Sequence, residues 1–131
     1  EFSYITGDLW TVSPLGVHHV PGLFARNERL TTFLATDKGE CALVKVGATV
    51  VGRIKVCYHD LVSNRSGAKN QKIVLKTPFQ VNRGEELGLF ELGSTVICLF
   101  PKGQIELREL EAEQKVYLGQ AIGRFCPDSK V

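Results

Sequence analysis

The chain has 131 residues, a formal net charge of +2, 44% apolar and 23% charged residues, which is the composition of one globular domain and not of a disordered segment. Its 16 basic residues are scattered and not striped, so no nucleic-acid partner is expected. No apolar run reaches the ~20 residues of a spanning helix, no signal peptide is visible, and there is no methionine, even at position 1, so further sequence is expected upstream.

Strand signals dominate in chain order. Residues 9–13 (LWTVS), 29–36 (RLTTFLAT), 41–46 (CALVKV), 49–58 (TVVGRIKVCY), 72–76 (KIVLK) and 94–100 (STVICLF) are rich in Val, Ile, Thr and aromatics. Turn clusters TDKGE, SNRSGAKN, VNRGEE and PKGQ lie between them. Residues 105–116 (IELRELEAEQKV) have helix-favouring composition, but the apolar positions 105, 107 and 110 fit neither period. That segment reads as a short strand, a polar turn and a second strand.

Two segments, GEELGLF (84–90) and GQAIGRF (119–125), share the frame G-[EQ]-x-[LI]-G-x-F. Paired glycines around a short apolar stretch predict a tight turn, a brief strand and another turn. Glycines within VGATVVG (46–52) predict bulges or close backbone approach. The expected fold is all-β, one domain over residues 1–131, with compact curved sheets resembling the barrel-sandwich hybrid of lipoyl domains.

Candidate chemistry is sparse. Cys41, Cys57, Cys98 and Cys126 form no C-x-x-C pair, and read as small core-filling thiols of a reducing compartment. Asn64 opens an N-x-S sequence, but glycosylation is not expected. His18, His19 and the pair His59-Asp60 are adjacent residues that on a strand would point to opposite faces, so neither a dyad nor a metal site is expected. Arg26, Glu28 and Arg29 beside Asn27 could grip a phosphate or carboxylate, or form a solvated turn. Lys38 in Asp37-Lys38-Gly39 reads as a hairpin turn, the alternative being the acylated lysine of a carrier domain.

Gly93-Ser94-Thr95 interrupts an apolar run. A serine hydroxyl can attack the carbonyl of the preceding residue and turn the amide into an ester, provided glycine supplies unusual backbone angles and a base takes the proton. Elimination then leaves dehydroalanine, which hydrolyses to a pyruvoyl group and ammonia. By itself the motif is also an ordinary turn.

GDLWTVSP, PGLFARNERL, VKVGATVVGRI and RGEELGLFELGSTVICLF, in this order and at these spacings, resemble the phosphatidylserine decarboxylase family from about Gly7 to Phe125. The resemblance implies self-cleavage between Gly93 and Ser94, with Ser94 becoming the pyruvoyl cofactor at the start of the smaller fragment. That carbonyl would form a Schiff base with the amine of phosphatidylserine and serve as electron sink for loss of carbon dioxide, giving phosphatidylethanolamine. The resemblance also implies a peripheral membrane location, bacterial or mitochondrial. The implied partners are phosphatidylserine at a membrane surface and the chain's own upstream segment, and a homo-oligomer stays open. The family's activating Asp and His match no residue here, so this chain alone is expected to be inactive. Alternatives are a pyruvoyl decarboxylase of another amine-bearing substrate, or the Lys38 carrier.

Overall fold

A computed structural model describes residues 1–51, 53–93 and 95–126. Its elements in chain order are β1 (Phe2–Ile5), α1 (Pro14–His19), α2 (Leu23–Arg26), β2 (Arg29–Thr36), β3 (Gly39–Val46), β4 (Ile54–Val56), β5 (His59–Val62), β6 (Gln71–Ile73), β7 (Gly88–Phe90), β8 (Thr95–Leu99), β9 (Ile105–Leu107) and β10 (Gly123–Phe125). The fold is all-β, as expected. Its three antiparallel sheets run β6-β1-β2-β3-β8, β5-β4-β7 and β10-β9, and none closes into a barrel.

Register decides what faces what. Phe2 is opposite Thr32, Tyr4 opposite Leu30, Leu30 opposite Lys45 and Lys45 opposite Val96, so these residues share one face of the large sheet. Phe2 and Leu30 pack there against Ile54 and Val56 of β4, with Tyr58, Leu61, Ile73, Leu75 and Phe90 around them. The core therefore lies between the five-stranded and three-stranded sheets.

The repeat is structural, and its two copies match residue for residue. Gly84 and Gly119 have φ of 87° and 80°, the left-handed region that favours glycine. The following Glu85 and Gln120 each donate N–H to the carbonyl three residues back, and their side chains accept from the N–H of the same residue, Asn82 or Tyr117. Gly88 and Gly123 then start β7 and β10. A Cβ there would meet the carbonyl of Lys55 at 2.4 Å or of Glu106 at 2.7 Å.

Several sequence expectations are corrected. Residues 9–13 form no strand, because the Asn27 side chain takes the backbone of Trp10: Oδ1 accepts from its N–H at 3.0 Å and Nδ2 donates to its carbonyl at 2.8 Å. Two short helices follow instead, with Pro14 in the first turn of α1 and left-handed Gly22 before α2. The run 49–58 is strand only over Ile54–Val56, since a turn closes from the Val51 N–H to the Ala48 carbonyl. The run 72–76 pairs only to Ile73, and 105–116 contains β9 and a turn but no second strand. None of the four cysteines is fully buried, so they do not fill the core.

Candidate functional site

Ser94 lies outside the described residues, and the site is built from its flanks. On one side, Thr95 opens β8 directly opposite Val46, the last residue of β3. On the other, the chain leading to Gly93 is tied to the 51–53 segment: Glu91 N–H donates to the Arg53 carbonyl and Leu92 N–H to the Val51 carbonyl, each at 3.0 Å. Gly93 has φ of 63°, and among the described residues beyond its chain neighbours a Cβ on it would meet Val51 Cγ2 at 3.7 Å, an ordinary contact. The residue expected to tolerate unusual angles thus has them. Val50, in the turn that anchors Leu92, is a β-branched residue at φ 74°, a conformation costing roughly 1–3 kcal/mol.

Around this edge sits a buried polar layer that sequence reasoning only partly anticipated. Asn27 is fully buried and also donates from Nδ2 to the Gly47 carbonyl at 2.9 Å, fixing the start of the VGATVVG segment. Glu28, 5% exposed, accepts on Oε1 from the Tyr4 hydroxyl and from the Asn64 N–H, while Oε2 is buried with no partner among the described residues. Burial, followed by the bond to Glu28, pushes the Tyr4 hydroxyl well up, so it stays a donor. Lys45 is also buried. Its Nζ donates to Thr32 Oγ1 at 2.7 Å, and Thr32 in turn bonds the Tyr58 hydroxyl. Burial brings the Lys45 ammonium down from 10.5 to about 8, and pushes Tyr58 up to about 12.

The scaffold that presents this edge has known relatives. The family model for phosphatidylserine decarboxylase matches residues 1–124. The chain belongs to the phosphatidylserine decarboxylase family. A phosphatidylserine decarboxylase proenzyme of Anaeromyxobacter sp. (strain K) is 46% identical over 123 residues, covering 92% of this chain and 44% of that protein. The proenzyme of Myxococcus xanthus (strain DK1622) is 46% identical over 123 residues, covering 93% and 44%. That of Brevibacillus brevis (strain 47 / JCM 6285 / NBRC 100599) is 43% identical over 125 residues, again covering 93% and 44%. The chain thus spans less than half the length of these phosphatidylserine decarboxylase proenzymes.

The other sequence candidates fall elsewhere in this phosphatidylserine decarboxylase fold. Lys38 sits exposed in the two-residue turn between Thr36 and Gly39, and its carbonyl accepts from Gln104 Nε2 at 2.8 Å. His18 and His19 are exposed on α1, not on a strand, with His19 Nδ1 2.8 Å from the Leu15 carbonyl oxygen. His59 packs its ring 5.0 Å from Phe2 and accepts the Leu61 N–H. The arginines of FARNER serve the fold: Arg26 pairs with Asp8 at 3.1 Å over the Trp10 ring, and Arg29 donates to the Ala25 and Asn27 carbonyls. Among the described residues no helix is long and apolar enough to cross a membrane, and no three His, Cys, Asp or Glu cluster for a metal.

Proposed function

We propose that this chain decarboxylates phosphatidylserine to phosphatidylethanolamine through a pyruvoyl group made from Ser94 after self-cleavage at Gly93-Ser94. The observation that carries the reading is the left-handed Gly93 just ahead of β8, in a chain whose family relatives are named as proenzymes. A left-handed glycine leaves its carbonyl free of side-chain cover, and the pairings of β8 and of residues 91–92 hold both sides of the bond in place. The pyruvoyl group supplies the electron sink that no amino-acid side chain provides.

The chain's own residues supply the frame. Leu92 ahead of β8, and Val96 and Leu99 on opposite faces of it, are more than half exposed, an apolar rim at the sheet edge suited to the acyl part of a lipid held at a membrane surface. Peripheral association of that rim, with the rest of the proenzyme completing the site, is part of the proposal.

Ser94→Ala in the full-length protein should leave one uncut polypeptide on a denaturing gel, with wild type giving two. Two fragments from the alanine variant, or a cut elsewhere in wild type, would refute the assignment.

A further inference from the structure

The glycine repeat extends into the strands it pairs with. In the first copy Gly88 is opposite Val56, Leu89 opposite Lys55 and Phe90 opposite Ile54. In the second, Gly123 is opposite Leu107, Arg124 opposite Glu106 and Phe125 opposite Ile105. Residues directly opposite share a face, so the two ladders correspond side chain by side chain. Each has an apolar face, Ile54, Val56 and Phe90 in one and Ile105, Leu107 and Phe125 in the other. The other face carries Lys55, paired with Glu91 at 2.8 Å, or Glu106, paired with Arg124 at 2.6 Å.

The copies differ in what covers the apolar face. Ile54 is 0% exposed and Val56 8%, and with Phe90 they pack against Phe2 and Leu30 of the large sheet. Leu107 is 63% exposed and Phe125 43%, with the Phe100 ring edge-on to Phe125 at 6.4 Å. A two-stranded ladder that leaves its apolar face in water is marginal.

We propose that the Ile105, Leu107 and Phe125 face of β9 and β10 is a docking surface, and that its occupant is an apolar segment of the same polypeptide outside residues 1–131. This packing is independent of the chemistry proposed above. The chain covers 44% of each proenzyme it matches, so more than half of such a polypeptide lies outside it. In the first copy the cover comes from the chain's own strands, and a cover on the same polypeptide acts at high effective concentration. The loop between β9 and β10 carries Glu109, Glu111 and Glu113 against Arg108 and Lys115, an excess of negative charge that an anionic bilayer repels. A second copy docking through the same face would bring two such loops together.

The test places a cysteine on each face of the full-length protein, as Leu107→Cys and, separately, Arg124→Cys. Both side chains are more than half exposed in these 131 residues. In the full-length protein, maleimide labelling assigned by peptide mass should be about tenfold or more slower at position 107 than at 124, and a smaller difference overturns the proposal. Leu107→p-benzoylphenylalanine then identifies the occupant. On irradiation it should cross-link within one protomer to a peptide outside residues 1–131. Cross-linking to a second protomer, to lipid, or to a peptide within residues 1–131 overturns the proposal. If the position 107 variants fail to fold, hydroxyl-radical footprinting of the wild type reads the same face. Leu107 should then oxidise about tenfold or more slowly than free leucine, and a faster rate overturns the proposal.

Discussion

Lys45 shows how one buried residue couples stability to pH. Its ammonium donates to a neutral partner, Thr32, and burial lowers it from 10.5 to about 8. Between those values the unfolded chain holds a proton that the folded chain has released, so stability rises with pH across that window. Below it the buried charge costs on the order of 2–3 kcal/mol. Lys45→Met should remove the cost at neutral pH and flatten the rise, as urea unfolding at pH 7 and pH 10 would measure. A variant that keeps the wild-type slope would contradict the assignment. At Gly93 the left-handed backbone makes the opposite forecast: Gly93→Ala should cost about 1 kcal/mol and slow cleavage, because Cβ disfavours φ of 63°. Time courses on a denaturing gel check it.

At the scale of elements, side chains distant in sequence override local pattern. The Asn27 side chain makes hydrogen bonds to Trp10, twice, and to Gly47, and so replaces the ladder that residues 9–13 would have needed. Asn27→Ala should lower stability by about 2–4 kcal/mol, the cost of leaving buried backbone groups unpaired. Gln120→Ala, at an exposed turn, should cost under about 1 kcal/mol by the same unfolding assay. The contrast explains what was legible. The strands at 29–36 and 41–46 were readable because β-branched runs flank a two-residue turn, and the glycine frame was readable because its two copies repeat the same turn chemistry. The 9–13 segment was not, since its pattern is strand-like and its partner is a side chain 17 residues away. Glu28 read as part of a solvated charged cluster. Only the tertiary meeting of Tyr4, Asn64 and Gly47 makes it a buried group.

At the scale of the molecule, the candidate site draws on stretches well separated along the chain. The FARNER segment enters the large sheet through β2, the VGATVVG segment leaves it after β3, and β8, opening at Thr95, pairs beside β3 at the edge of the sheet. That a chain held this way on both sides of one peptide bond undergoes intramolecular attack there is the central proposal. Accurate mass of the smaller fragment from the purified full-length protein tests it most directly. The account predicts a fragment starting at position 94 and lighter by one ammonia than the same fragment with an amino-terminal serine. A fragment carrying intact serine, or an undivided chain of full mass, would contradict it.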